Sequence, residues 1–183
     1  MRFPELIKVI KDDFRSYKAN TILKSLFVYY TQPSFRLVLN YRIGRYLTVN
    51  SNSFCRKLAF WYRYKQVTKR NCQISYKAVI GRNIRFPHPI GIVIGDGVEI
   101  HDDVLIWQNV TLGSHGKKKF GSAYPIIGGK VRIYEGATII GGVVVGEDAI
   151  IAAKALVNID VPSNTIAIGI PAQIKKRNEE LSE

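Results

Sequence analysis

The 183-residue chain is poor in cysteine and histidine and, in its first 73 residues, in acidic side chains. Its two cysteines, Cys55 and Cys72, form neither a disulfide framework nor a paired metal-ligand motif, which predicts a reducing compartment. No uncharged run reaches the roughly 20 apolar residues of a membrane-spanning helix. Residues 1–5 lack the order of a secretion signal. We therefore expect a cytoplasmic protein without a transmembrane segment.

Positive charge is concentrated in residues 1–73, which hold 15 Lys and Arg against three Asp and Glu, whereas residues 74–183 hold 12 against 11. Apolar side chains in the first segment recur at helical steps, as do Ile7, Ile10 and Phe14. The pattern predicts a helical basic N-terminal region over residues 1–73. We expect it to pack over the end of the following region; peripheral contact with the inner face of an anionic membrane is an alternative. No motif indicates binding to nucleic acid.

From residue 74 the apolar residues recur in sixes. One series contains Ile74, Ile80, Phe86, Ile94, Ile100, Ile106, Leu112, Ile127, Ile133, Ile139, Val145, Ile151 and Val157. A second series of small or branched residues follows each of these by four positions. A hexapeptide period is the signature of a parallel β-helix, in which three short sides close each coil. The sequence predicts a mainly β fold with a β-helix over 74–172, preceded by the helical region and followed by a charged tail over 173–183.

Two interruptions of the repeat mark a candidate site, because insertions in a compact repeat often carry function. The pair Ile92-Val93 adds two residues to one coil. The segment 114–126 is too long for its coil and predicts a protruding polar loop, which contains Lys117.

Counting hexapeptides around the three sides puts Phe86 and Ile106 on the same side. This arithmetic predicts that His88 is the neighbour of Gln108 along the axis. Glu135 and Ala153 would continue the same column.

Two segments, HPIGIVIG at 88–95 and QNVTLG at 108–113, resemble the hexapeptide-repeat acyltransferases, and specifically their serine O-acetyltransferase branch. Residues 160–165 and 169–172 are similar to the closing coil of that superfamily, and the YRIG sequence at 41–44 resembles the last N-terminal helices of the branch. The resemblance implies a left-handed prism, a homotrimer with a dimer of trimers as a further assembly, and acetyl-CoA in the groove between subunits. His88 matches the catalytic histidine, a general base that needs no metal.

The chain departs from the serine-specific pattern at three places. Pro87 and Gln73 stand where the branch has acids, and Ala123-Tyr124 stands where it has an Arg-His pair. Members that lack these residues resemble sugar O-acetyltransferases of capsule or O-antigen biosynthesis. The sequence-based prediction is therefore acetyl transfer to a sugar hydroxyl of a surface polysaccharide; the alternative is serine O-acetylation in cysteine biosynthesis.

The remaining candidate residues fall into two groups beside the catalytic His88. The candidates for binding the acceptor are His115, Gln108, Trp107, Tyr124 and Lys117. The candidates for binding acetyl-CoA are Gly113, Ser114, Glu135, Ala153, Lys175 and Lys176. Ordinary packing or solvation is the competing interpretation for Trp107 and for the lysines.

Two other functional classes stay open at this point. A metal-dependent lyase on the same prism, like the γ-class carbonic anhydrases, needs clustered histidines, whereas His88, His101 and His115 fall on three different sides. A non-catalytic β-helix scaffold would leave both His88 and the protruding loop unexplained.

Overall fold

The computed structural model describes residues 2–49, 52–115 and 123–177. Within these ranges four helices come first: α1 (Phe3–Ser16), α2 (Ile22–Thr31), α3 (Pro33–Val49) and α4 (Ser53–Arg70). Fourteen strands follow in the described part of the chain: β1 (Gln73–Ile74), β2 (Val79–Ile80), β3 (Val93–Ile94), β4 (Glu99–Ile100), β5 (Leu105–Ile106), β6 (Thr111–Gly113), β7 (Ile126–Ile127), β8 (Arg132–Ile133), β9 (Thr138–Ile140), β10 (Val144–Val145), β11 (Ile150–Ile151), β12 (Leu156–Val157), β13 (Thr165–Ile168) and β14 (Gln173–Lys176).

The strands form three sheets that wrap around a common core. Sheet I has the order β1-β3-β6-β9-β12, sheet II the order β10-β7-β4-β2, and sheet III the order β14-β13-β11-β8-β5. All pairs are parallel except β13 with β14. Most hexapeptides thus supply one short strand and one corner, as the sixfold period predicts, whereas Arg85 and Val161 form only isolated bridges to a neighbouring coil.

The predicted register is observed, since Ile74 pairs with Ile94 in sheet I and Ile100 with Ile127 in sheet II. The long segment 114–126 therefore returns to the side expected for it. The inward-facing Ile, Val and Leu side chains are almost completely buried in one continuous cluster. Burying a side chain of this size contributes about 1.5–3 kcal/mol. This buried cluster is therefore the main source of stability.

Local sequence signals fix the ends of the helices. Pro4 lies in the first turn of α1, and the Glu5 carboxylate accepts a hydrogen bond from the backbone N–H of Arg2 at 2.9 Å. The Asn52 side chain accepts from the backbone N–H of Cys55 at 2.7 Å and caps α4. Asn71 ends α4 in the left-handed conformation, with a φ of 49°, which Asn tolerates better than most residues.

Helix α3 covers the open end of the β-helix. Leu37, Val38 and Tyr41 belong to the same buried cluster as the first coil. The Tyr41 hydroxyl donates to the carbonyl of Ala78 at 2.6 Å, and the Arg42 guanidinium donates to carbonyl groups of that coil. The bond from Arg42 satisfies the buried carbonyl of Ile80, and the Ala78 carbonyl also accepts from Arg45 at 2.6 Å.

Helix α2, which the sequence did not resolve as a separate element, stands further from the core. It buries only Val28 and leaves Ile22, Leu23 and Tyr30 largely exposed. In the described part of the chain, none of the helices has the length and apolarity needed to traverse a bilayer. The cytoplasmic location and the peripheral membrane contact both stay predictions.

Candidate active site

His88 lies at the corner between sheet III and sheet I. The backbone N–H of Ile90 donates to the carbonyl of His88 at 2.8 Å, and the N–H of Gly91 donates to the carbonyl of Asn71 at 2.8 Å. The corner is therefore tied to the end of α4. The His88 side chain is exposed and makes no hydrogen bond or ion pair with any residue that the structure describes.

The two extra residues of this coil lie elsewhere than the sequence predicts. Arg85 pairs with Leu105, but the N–H of Asn109 bonds to the carbonyl of Ile90, so the register shifts by two between Arg85 and Ile90. Ile92-Val93, where the insertion was expected, continues the regular pattern: Ile92 is fully buried and Val93 belongs to β3. The insertion thus contains His88 itself.

This shift corrects the predicted column of side chains. Gln108 lies level with Ile90 rather than with His88. The Gln108 Nε2 donates to the Glu135 carboxylate at 2.9 Å, which confirms that these two residues are neighbours along the axis. Neither side chain bonds to His88 in the described structure, so Glu135 does not orient the His88 ring. Ala153 is exposed one coil further on.

Trp107 stacks on Tyr134 at the same corner, with ring centroids 4.5 Å apart and planes inclined by 21°. This supports the packing interpretation of Trp107, because the neighbouring ring already covers one of its faces. Next to it, the Oε1 atom of Gln108 is buried without a hydrogen-bond partner among the described residues.

The protruding loop leaves the prism at a different corner, between sheets I and II. His115 lies against Gly141, where a Cβ would be 2.6 Å from the His115 Nε2; Gly141 has a φ of +93°. Gly113 ends β6, and Ser114 is exposed at the start of the loop. The structure describes no part of residues 116–122, so Lys117 lies outside the described residues.

Tyr124 ends the loop by packing on the same corner. A Cβ added to Gly95 or to Gly97 would approach the Tyr124 ring to 2.7 or 2.5 Å. Both glycines are therefore needed for the ring to lie there.

The sequence-predicted residues thus divide between two corners of one chain. His88, Trp107, Gln108 and Glu135 lie on one side of sheet I, whereas Gly113, Ser114, His115 and Tyr124 lie on the other. Lys175 and Lys176 are exposed on β14, at the far end of sheet III.

A cavity of about 520 Å³ opens beside His88. It is formed by the beginning of α3, the end of α4 and the His88 corner. Its polar lining includes Arg36, Lys69, Arg70 and Asn71. Sequence reasoning missed these cations as site residues. The available signal was the position of Arg70-Asn71 immediately before the first coil.

In the described ranges, no cluster of three or more His, Cys, Asp or Glu side chains has a geometry that could hold a metal ion. No model of a protein family matches the chain.

Curated relatives and solved structures agree on one kind of protein. The chain is 40% identical over 140 residues to serine acetyltransferase of Salmonella typhimurium, covering 76% of this chain and 50% of the relative. It is 30% identical over 174 residues to serine acetyltransferase of Mycobacterium tuberculosis, covering 92% and 73%. The chain spans only 35% to 50% of the length of three of these curated relatives, the Salmonella protein among them.

Two solved structures extend this likeness to the fold. Soybean serine acetyltransferase complexed with serine is 31% identical and superposes with a TM-score of 0.80, covering 94% of this chain and 70% of that one. A serine acetyltransferase in complex with CoA is 30% identical, with a TM-score of 0.79 and coverages of 94% and 71%.

The fold is a left-handed β-helix like that of the serine acetyltransferase structures, which confirms the predicted fold class. The chain belongs to the serine acetyltransferase family. The predicted O-acetyltransferase activity agrees with the activity for which these relatives are named. The prediction of a sugar acceptor is wrong, since the matched relatives and structures are serine acetyltransferases. That prediction was based on Pro87, Gln73 and Ala123-Tyr124, which depart from the serine-specific pattern.

Proposed function

We propose that the chain transfers the acetyl group of acetyl-CoA to the hydroxyl of L-serine. The observation that carries this proposal is its membership of the serine acetyltransferase family, including likeness to one structure complexed with serine and another in complex with CoA. The exposed and unbonded side chain of His88 supports it, because a general base must reach the proton that it removes.

In the proposed reaction, a ring nitrogen of His88 accepts the proton of the serine hydroxyl while the oxygen attacks the thioester carbonyl. The carbonyl oxygen becomes an oxyanion, which backbone N–H groups stabilise. The intermediate collapses by breaking the C–S bond, and the sulfur of CoA takes the proton from His88. The products are O-acetyl-L-serine and CoA, and the histidine returns to its neutral form.

The division of the candidate residues between two corners supports a site shared by neighbouring copies. In a homotrimer, the His88 corner of one copy would face the loop corner of the next. Such an arrangement would join His88 to the proposed acceptor residues His115 and Tyr124. Gln108 and Lys117 remain proposed acceptor contacts, whereas the stacking of Trp107 on Tyr134 favours a packing role for Trp107.

The groove between copies would also hold acetyl-CoA. Glu135 and Ala153 would line it from one copy, and Gly113 and Ser114 from the next. Lys175 and Lys176 are exposed cations at the end of the prism and suit the nucleotide phosphates of CoA.

The proposal is tested by following CoA release with a thiol reagent in the presence of L-serine, L-threonine, glycine or no acceptor. We expect release above background with L-serine and background release with glycine, which has no hydroxyl. Background release with all four solutions would reject the proposed function.

A further inference from the structure

The cavity beside His88 has no acidic residue in its described lining. Three cations, Arg36, Lys69 and Arg70, share it with His88. Leu37 and three prolines supply apolar walls. Charges in such surroundings interact more strongly than they do in bulk water.

Among the three cations of this cavity, Arg70 is the one with a buried donor that has no acceptor. Its side chain is partly buried, and its Nε is fully buried without a hydrogen-bond acceptor in the described structure. Burial lowers the pKa of the Arg70 guanidinium from its ordinary value, and the nearby charge of Arg36 lowers it further. A buried donor that lacks an acceptor destabilises the folded chain, and a charged donor does so more strongly. An anion at this position would remove that cost.

Arg36 is held in place but not saturated. One of its terminal nitrogens, Nη1, donates to the carbonyl oxygens of Tyr29 and Tyr30 at 3.2 and 2.6 Å, at the end of α2. A guanidinium carries five N–H donors. Its remaining donors, like those of Arg70, make no other hydrogen bond among the described residues.

Three other cations close to the first coils have acidic partners. Arg42 pairs with Asp13, Lys77 with Asp96 and Arg82 with Asp102. Arg45 and Arg85 have no acidic partner in the described structure, but they donate to carbonyl oxygens of the first coil and of Ser16. Arg70 differs from all of these cations because its buried Nε has no acceptor, which points to a missing anionic ligand.

We propose that Arg70 and Arg36 bind the α-carboxylate of the acceptor amino acid in this cavity, with its hydroxyl directed to His88. The inference rests on the proposed function, and it names the residues that recognise the acceptor. A planar guanidinium suits a carboxylate because it can donate two parallel hydrogen bonds. The residues that bind the carboxylate then lie on helices α3 and α4. Recognition of serine therefore needs no Arg-His pair at Ala123-Tyr124.

The test compares steady-state kinetics of the full chain and of Arg70→Gln and Arg36→Gln. We expect the KM for L-serine to rise about 10- to 100-fold in each variant, since hydrogen bonds to charged groups contribute about 1.5–3 kcal/mol. The KM for acetyl-CoA should change by less than about twofold. Arg70→Lys keeps the positive charge but lacks the planar guanidinium with its parallel donors, so its KM for L-serine should rise less than that of Arg70→Gln. Arg56→Gln, near the start of α4 and outside the cavity, is the matched control and should behave like the unmodified chain.

L-serinamide, which lacks the negative charge, identifies the group that is bound. The unmodified chain should prefer L-serine to L-serinamide strongly, and Arg70→Gln should reduce this preference about 10-fold or more. A raised KM for acetyl-CoA with an unchanged KM for L-serine would overturn the proposal in favour of a phosphate of CoA. Unchanged kinetics in both variants would overturn it as well.

Calorimetric titration separates this proposal from the proposed function. If the unmodified chain releases no CoA with L-serine, the proposed function fails, and binding alone decides the role of the cavity. Binding of L-serine that is lost in folded Arg70→Gln and kept in Arg56→Gln would support the carboxylate site. Absence of L-serine binding to the unmodified chain would overturn it. Circular dichroism of each variant establishes that it is folded.

Discussion

Arg42 of α3 and Asp13 of α1 form an ion pair in which both side chains are only 5% exposed, with Nε and Oδ2 3.0 Å apart. The same guanidinium donates to the carbonyl oxygens of Ile80 and Gly81 at 2.7 and 2.6 Å. One side chain therefore joins two helices to the first coil of the β-helix. Without these bonds, the open end of the prism would bury unsatisfied carbonyl groups.

Asp13→Ala should lower the free energy of unfolding by about 3–5 kcal/mol, because it leaves the Arg42 charge buried without its partner. Asp12→Ala is the control, since Asp12 pairs on the same helix with an exposed Arg15 and is itself more exposed than Asp13. The control should cost at most about 1 kcal/mol. Urea unfolding measures both free energies. Equal decreases for the two variants would show that the buried pair does not stabilise the packing of α1 on α3.

Adjacent glycines at one corner give a second test of the stacking. A Cβ on Gly128 would lie 2.8 Å from the backbone nitrogen of Glu147, whereas a Cβ on Gly129 would lie 3.4 Å from its nearest neighbour. Gly128→Ala should cost about 1–3 kcal/mol through overpacking, and Gly129→Ala should cost clearly less. Thermal unfolding of the two variants compares them directly. A larger loss for Gly129→Ala would contradict the observed spacing of the coils.

The Asp102 carboxylate predicts a pH dependence of stability. The backbone N–H of Arg82 donates to it at 2.7 Å and holds its pKa below the usual range, and the Arg82 guanidinium adds to this effect. Since the folded pKa is the lower one, the stabilisation is complete above the unfolded pKa of about 3.9 and is lost as the pH falls through the folded value.

Asp102→Asn should therefore reduce the free energy of unfolding by about 1 kcal/mol at pH 7, and the difference should shrink below about pH 4. Urea titrations at pH 7 and pH 3 measure it. Glu147→Gln is the control, because its pair with Lys130 is more than 60% exposed on both sides. A difference for Asp102→Asn that is the same at both pH values would exclude the proposed linkage.

Sharing of the site between copies can be tested by complementation. His88→Ala and His115→Ala alter different corners, and we expect each to lower acetyl transfer on its own. When the two variants are unfolded, mixed and refolded together, some interfaces should combine an intact His88 corner with an intact loop corner. Activity of the mixture above that of either variant is expected. A mixture no more active than its components would place both histidines in a site within one chain.

The sequence determined the β-helix more completely than the site. Each inward-facing Ile, such as Ile100 or Ile133, repeats one coil later, so periodicity alone assigns both the side and the register. Periodicity counts residues without locating a bulge, which explains why the two extra residues were assigned to Ile92-Val93. The hydrogen bond from Asn109 to Ile90 places them earlier.

The cavity cations could not be predicted because they meet only in three dimensions. Arg36 and Arg70 lie on different helices. Residues 1–73 contain many Lys and Arg, and the sequence alone does not tell which of them have acidic partners. The acceptor was predicted wrongly for a related reason. The absence of an Arg-His pair at Ala123-Tyr124 does not exclude a carboxylate site formed by other elements.

Mass-spectrometric detection of O-acetyl-L-serine after incubation with acetyl-CoA and L-serine tests the central claim most directly. We expect the unmodified chain to form this product and His88→Ala to form it about 10²- to 10⁴-fold more slowly. His101→Ala, whose exposed histidine lies at another corner, should retain the full rate. Absence of the product with the unmodified chain, or an undiminished rate with His88→Ala, would contradict the claim.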